Sequence, residues 1–572
     1  VTLVRIIALY LALLTASRAA PAVNKVEPPN WWVHHTLSPV QLLLTGADLA
    51  GATVVAPKGF RAEVRQSSTD GRYLFAYVTI PTSAKPGAYQ FQVRKGSSTT
   101  EFNFALDAPL APAGRFQGFT PDDVIYLLMP DRFATESSAA VNSYHGGNLR
   151  GIRDHLAYLK DLGVTGIWAT PVYKNSTPDA SPYHGYHTVD FYDVEPHFGT
   201  MKDFRDLVDA AHQLGLKVVQ DQVANHCGPR HPWVAAPPTP TWFHDLARRP
   251  RLRNNFDIAA LADPYARPGL LDPPLRGWFA GNLPDLDQSD PLVSDYLIQN
   301  TLWWIGMSGI DAIRQDTYPY VDRPFWEKWQ AAIDRQYPNL TVTGEITART
   351  PAVLSFFDGG TRRRGVDTHL KSMLDFPLEN AIRAVFARGE PMTQLTDILA
   401  QDFLYQRPEM LVAFIGNHDQ PRFLTEAGGD IGRLQMAQAF LLTTRRVPHL
   451  YYGDEIAMGA GTDRTDRTIR ADFSPAAFLS APTSPTFTWL RELLHFRQEH
   501  PALRRGTLTQ LLVNKDQYAF LRTSPEERVL VVLNRAGDAG PIELNFDDVK
   551  VHLTLPHPDP ITIRAKKGTD AF

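Results

Sequence analysis

The residues best equipped for chemistry stand at the ends of four short apolar runs. In Gly309–Thr317 the pattern is a buried strand running into a turn, and strand alternation places Arg314 and Asp316 on the same side because they are two residues apart. An apolar strand has no reason to end on an inward-facing arginine and aspartate unless that end opens onto a site. Leu216–Val219 leads into Asp221-Gln222-Val223-Ala224-Asn225-His226, Leu340–Thr343 into Gly344-Glu345-Ile346, and Leu411–Ile415 into Gly416-Asn417-His418-Asp419. Four strand ends thus present Asp316, Glu345, Asp419, His226, His418 and Arg314, which is where a (β/α)8 barrel keeps its active site. Carboxylates gathered in this way serve as general acids, bases and nucleophiles. Any one of them could be a strand-end cap or a solvated loop charge, but that reading is poor for all four motifs together. Zinc ligation is the rival for the histidines, yet no His-Glu-x-x-His or cysteine-rich zinc pattern occurs.

At these motifs the chain resembles the α-amylase family of glycoside hydrolases, over roughly Asp122 to Phe473. The resemblance implies retaining hydrolysis, which needs a carboxylate nucleophile and a carboxylic acid about 5 to 5.5 Å apart across the sugar. It assigns Asp316 as nucleophile, Glu345 as acid/base and Asp419 as the third carboxylate, gripping sugar hydroxyls as the ring flattens. His226 and His418 match the two histidines that bond the same ring, each in an Asn-His context. Ser181-Pro182-Tyr183-His184-Gly185-Tyr186-His187 is similar to the family's His-Gly-Tyr segment, which puts Tyr186 under the sugar at the cleavage point. Arg314 is expected to keep Asp316 ionised, while Glu345, facing less positive charge, is held protonated by desolvation and by neighbouring carboxylates.

Within the family the similarity is to the cyclomaltodextrinase and neopullulanase branch. It rests on an N-terminal β-domain and on Met129–Phe133, Tyr144–Leu149, Arg314–Tyr320 and Gln401–Tyr405. Such enzymes cut cyclodextrins, pullulan and short maltooligosaccharides, and their N-terminal domain leans over a neighbouring barrel, implying a homodimer. Leu283-Pro284-Asp285-Leu286-Asp287 looks more like the ordinary α-amylase motif. The usual calcium loop is replaced by Ala134–Ala140 with Glu136 as its one carboxylate, too few ligands for a cation that takes six to eight oxygens. No cofactor is therefore expected, although related α-amylases place a different calcium ion at the position of Asn225.

The elements that must position these residues read as an α/β architecture: a (β/α)8 TIM barrel flanked by an N-terminal and a C-terminal β-sandwich. The expected divisions are a signal peptide at 1–20, an N-terminal immunoglobulin-like sandwich at 21–107 and a linker at 108–120. The barrel follows at 121–500, with an irregular insertion at about 227–284, and the C-terminal sandwich at 501–572. Short strand patterns between turn signals support the two β regions. Barrel strands are predicted at Asp123–Pro130, Val164–Thr170 and His449–Tyr452 besides the four motif strands, with helices over Ile152–Leu162, Phe204–Leu214, Pro291–Met307, Pro324–Gln336, Pro391–Gln401, Arg433–Thr443 and Thr486–Glu499. The insertion is too long for an ordinary loop and is expected to wall the cleft. Trp31-Trp32 reads as core, and Arg362-Arg363-Arg364 as a solvated loop.

A chain of 572 residues with 44% hydrophobic and 21% charged residues can bury a sizeable core. Its formal net charge of −4 and lack of long basic runs point away from nucleic acid and anionic membranes and suit a neutral substrate. Ile6–Leu14 after Arg5 is too short to span a bilayer and is followed by small residues, so export to the periplasm or medium is expected. Cys227, the one cysteine, can form no intrachain disulfide. Two alternatives remain open: a transglycosylase using the same covalent intermediate, and a non-catalytic glycan-binding protein, which would be expected to lack one of the three carboxylates.

Overall fold

The computed structural model describes residues 20–175, 182–247, 250–459, 461–537, 541–556, 559–568 and 571–572. The proposed signal segment, apart from Ala20, and Ser181 lie outside them. The chain forms two compact units, one holding residues up to Leu110 with 235–242 and 290–306, the other holding 111–234, 243–289 and 307–572.

In the first unit two four-stranded sheets carry the N-terminal residues, and the order of strands in each is non-sequential. Trp31 and Trp32 are buried with ring centroids 5.2 Å apart, as expected of core residues. The helix Pro291–Ser308 is apolar nearly all round, and a helix of that kind must be covered on more than one face. Much of it falls in this unit. There Tyr296 donates to Glu27 Oε1 at 2.8 Å, Trp303 Nε1 to Asn30 Oδ1 at 2.7 Å and Tyr77 to Asp295 Oδ2 at 2.6 Å.

The second unit contains eight parallel barrel strands: Ile125–Leu128, Gly166–Ala169, Lys217–Gln222, Ala312–Gln315, Thr341–Gly344, Ser372–Met373, Val412–Ala413 and Val447–Tyr451. They pair in chain order, the eighth with the first, and a bridge from Leu374 to Val412 joins the sixth to the seventh. The sixth strand leaves no mark in the sequence because two residues carry no periodicity. The expected helix Ile152–Leu162 is two short helices, Leu149–Asp154 and Leu156–Leu162, breaking at His155. The helix expected from Phe204 begins earlier, at Met201, because Thr200 and Asp203 form a reciprocal capping box. The insertion is not wholly irregular. It contains short helices at Pro232–Ala235, Ile258–Ala262 and Pro268–Arg276.

Arg362–Arg364 lies in a loop with Arg362 and Arg364 exposed, as expected, but its guanidiniums also have partners. Arg362 pairs with Glu327, Arg363 donates to the Leu404 carbonyl, and Arg364 donates to the carbonyls of Leu261 and Asp263. Three adjacent guanidiniums therefore tie the insertion and two barrel segments together. At the C-terminal end a four-stranded sheet and the hairpin Ile542–Phe546/Val551–Leu555 bury Ala519, Leu521, Leu530 and Val532 against Ile542, Leu544, Val551 and Leu555.

Candidate active site

The ladder between adjacent barrel strands sets the site. Asp221 is opposite Arg314, and Arg314 is opposite Thr343. One residue beyond the fourth and fifth strands, the Asp316 amide still donates to Gln222 O at 2.9 Å and the Glu345 amide to Gln315 O at 3.0 Å. Sheet hydrogen bonds thus fix both carboxylates at the strand ends, and their side chains converge on one buried guanidinium. Arg314 Nη1 lies 2.8 Å from Asp316 Oδ1 and 2.8 Å from Asp221 Oδ1, while its Nη2 lies 2.7 Å from Glu345 Oε1.

This corrects the expected environment of Glu345, which faces the same cation as Asp316. The conclusion about its charge nevertheless holds. Burial, joined by Asp316 and Asp419, outweighs Arg314 and the Thr317 amide and pushes the Glu345 carboxyl up to about 8. Thr317 itself has a left-handed backbone with φ of 47°, a conformation costly for a β-branched residue. It uses that geometry to donate its amide to Glu345 Oε2 at 2.9 Å and its hydroxyl to Asp316 Oδ2 at 2.9 Å.

The other predicted residues close around this pair. Gly185, at φ of 92°, lets the chain pass where a Cβ would lie 2.1 Å from Pro171 O, and so delivers Tyr186. The Tyr186 hydroxyl donates to Asp221 Oδ2 at 2.9 Å and meets His418 Nε2 at 2.8 Å. Its ring lies parallel to that of His418, within 1° at 5.5 Å. Burial chiefly lowers the His418 pKa to about 4, so this ring is neutral and can give its Nε2 proton to the tyrosine. His226 stacks on Phe279 at 5.5 Å, and its buried Nε2 has no hydrogen-bond partner among the described residues. Asp419 is half exposed, with Oδ1 3.0 Å from Arg470 and Oδ2 3.3 Å from His418.

Two cavities, of about 770 and 440 Å³, meet at Phe279, Thr317, Glu345 and Asp419. The smaller is lined by Tyr186, His226, Asp316 and Arg470, the larger by Phe256, Tyr320, Arg349 and Asn380. The structure brings all seven predicted residues together: Asp316, Glu345, Asp419, Tyr186, His226, Arg314 and His418. Besides Thr317, three further participants stand outside those seven. Asp221 stood in a strand-end motif and could have been found, since it takes hydrogen bonds from Trp168, Tyr186 and Arg314. Arg470 and Phe279 carry no local signal, because each arrives from a loop distant in sequence.

Residues 127–476 match the α-amylase catalytic-domain family, and 25–108 match the cyclomaltodextrinase N-terminal domain. The chain belongs to the α-amylase family. It is 28% identical to a cyclomaltodextrinase of Geobacillus thermopakistaniensis, over 85% of this chain and 84% of that protein. It is 28% identical to neopullulanase 2 of Thermoactinomyces vulgaris, over 83% and 82% of the two chains. Among solved structures it resembles an α-amylase of Geobacillus thermoleovorans complexed with acarbose, at 29% identity and a TM-score of 0.66, covering 79% of this chain and 97% of that one. This α-amylase-family chain is therefore a glycoside hydrolase, and its fold, an eight-stranded barrel with β-domains at both ends of the chain, is that of the family.

The family resemblance raises calcium at two places, and the residues present fit it at neither. After Asp131, the buried guanidinium of Arg132 already donates to the carbonyls of Val141 and Ser143, at 2.8 and 3.0 Å, and pairs with Asp131 at 3.1 Å. Asn148 is spent on capping the helix at Gly151. Near Asn225, whose amide donates to Asp285 Oδ1 at 2.8 Å, His244 lies between Asp285 Oδ2 at 2.7 Å and Asp287 Oδ1 at 3.1 Å. Both ring nitrogens of His244 thus point at these carboxylates, so this oxygen set is already engaged by a protein side chain.

Proposed function

We propose that this α-amylase-family hydrolase cleaves α-1,4-glucosidic bonds in cyclodextrins, maltooligosaccharides or pullulan with retention of configuration. Asp316 attacks the anomeric carbon while protonated Glu345 gives its proton to the leaving glycosidic oxygen. Water, deprotonated by Glu345, then releases the sugar from Asp316. Asp419 and His418 hold hydroxyls of the reacting ring, His226 Nε2, without a hydrogen-bond partner among the described residues, is on the same wall, and Tyr186 lies under the ring. The observation that carries this reading is the single guanidinium of Arg314 shared by Asp316 and Glu345 where the two cavities meet. It keeps the nucleophile beside a positive charge and the acid within reach of the same bond.

The N-terminal domain favours cyclic and short substrates over starch, through a homodimer in which it narrows a neighbouring cleft. Export and independence from metal belong to the same proposal. The larger cavity beyond Glu345, with Phe256, Phe279 and Tyr320 on its wall, also has room for an acceptor sugar, so transfer to a sugar hydroxyl competes with hydrolysis at high substrate concentration. Rates on β-cyclodextrin, pullulan, soluble starch and maltotriose test the preference, and a starch rate well above the cyclodextrin rate overturns it.

A further inference from the structure

Asp316 and Glu345 inherit their positions from the sheet, but Asp419 does not. The seventh strand ends at Ala413, so Asp419 stands six residues beyond the last ladder residue, in the turn Ile415-Gly416-Asn417-His418-Asp419-Gln420-Pro421. A turn that carries a reacting group needs another source of rigidity, since an error of about 1 Å in placement costs roughly 100-fold in rate.

Arg383 supplies a structure of that kind. It is 5% exposed and opens a π-helical turn, Arg383–Ala387, at the end of the helix Phe376–Ile382; such turns are rare and concentrate at functional sites. Its Nη1 donates to Ile415 O at 2.9 Å and its Nη2 to Pro421 O at 2.9 Å. One planar guanidinium thus bridges the two ends of the turn, with charge-assisted bonds roughly twice as strong as neutral ones. Glu426 holds the same Nη2, and Glu379 Oε1 lies 3.4 Å from Nε, so the fork is anchored on its other side. From the cleft side Arg470 bonds His418 O at 2.8 Å and Asp419. The turn is held between two arginines, one of which never reaches the substrate cavities.

We propose that Arg383 is a positioning residue for the glycosidase reaction, fixing the turn that carries Asp419. The inference rests on the role proposed above for Asp419. Because that carboxylate acts on the ring as it approaches the transition state, misplacing it lowers kcat more than it raises KM. Lysine keeps the charge but cannot bridge both carbonyls.

The test compares Arg383→Lys, Arg388→Met and Asp419→Asn by steady-state kinetics on a maltooligosaccharide, with thermal melts alongside. Arg388 shares Glu426 with Arg383 but does not touch the turn. Expected are a fall in kcat of about 10- to 100-fold in Arg383→Lys, with KM within about threefold, and wild-type kcat in Arg388→Met. An unchanged kcat in Arg383→Lys, or an equal fall in Arg388→Met, overturns the proposal. If Arg383→Lys does not fold, Arg383→Gln with Glu426→Gln is compared with Glu426→Gln alone. That pair leaves no carboxylate at 426, and Glu379, raised to about 7 chiefly by burial, can take a proton. The same kcat fall supports positioning, and its absence overturns it. Asp419→Asn separates the two readings: activity retained there sinks the role of Asp419, whereas activity lost there but kept in Arg383→Lys sinks only this inference.

Discussion

Arg314 and Arg497 are both essentially fully buried guanidiniums, and the molecule treats them in opposite ways. Arg314 touches three carboxylates. Arg497 donates instead to the main-chain carbonyls of Leu442, Leu503, Pro121 and Arg446. Burial alone disfavours both charges. Around Arg314 the charges of Asp221, Glu345 and Asp316 outweigh it and raise the pKa well above the ordinary arginine value, whereas around Arg497 burial, assisted by Arg504, lowers it to about 9. Leu442 lies in the last turn of the helix Ile431–Thr443, whose carbonyl end favours a cation. A structural arginine can be satisfied by such fixed dipoles. The site arginine is satisfied by groups that must gain and lose charge during a reaction, which is why its neighbourhood can do chemistry.

The sharpest way to break this comparison is to remove one of those carboxylates. Asp316→Asn should lower kcat on the order of 10⁴-fold or more, as loss of a nucleophile does, and substantial remaining hydrolysis would rule out its role. Arg314→Lys keeps a charge but loses the fork, and should cost roughly 100-fold in kcat through misplacement of Asp316 and Glu345. The matched change, Arg497→Met, leaves carbonyls without donors, a cost of about 1–3 kcal/mol. It should lower the thermal midpoint while kcat stays within about twofold of wild type. A catalytic defect in Arg497→Met at unchanged stability would erase the distinction.

A pH profile sharpens the comparison further. Glu345 must be protonated to act as an acid, so kcat/KM falls as pH rises through its pKa. Burial places that alkaline limb near 8; a limb below about 6 would mean that Arg314 wins over burial. The smallest effect is expected from chelation. Because Arg132 and His244 stand where oxygen ligands converge, EDTA should shift the melting midpoint by less than about 1 °C, as no metal linkage is being removed. A drop of several degrees, reversed by calcium, would show a site elsewhere.

Much of the site was legible because strand alternation is local. Arg314 and Asp316 share a side whatever surrounds them, and the Asn-His and His-Gly-Tyr contexts are contiguous residues. The same locality made the second strand and the helix Arg433–Thr443 readable to within two residues at each end. It failed where elements are too short to show a period, as at Ser372–Met373, or where a cap extends them, as at Thr200.

By itself, then, the sequence determined which residues stand at the strand ends and what chemical types they are. Only the tertiary structure decided their partners. Arg314 reaches Glu345 because the fourth and fifth strands are adjacent in the barrel. Arg383 reaches Ile415 and Pro421 across more than thirty residues, Arg470 reaches Asp419 across 51, and Arg364 finds carbonyls about a hundred residues away. Charge and hydrogen-bond capacity are properties of the side chain, but the group that satisfies them is chosen by closure of the barrel, and in a buried site that choice sets the pKa and the geometry on which catalysis depends.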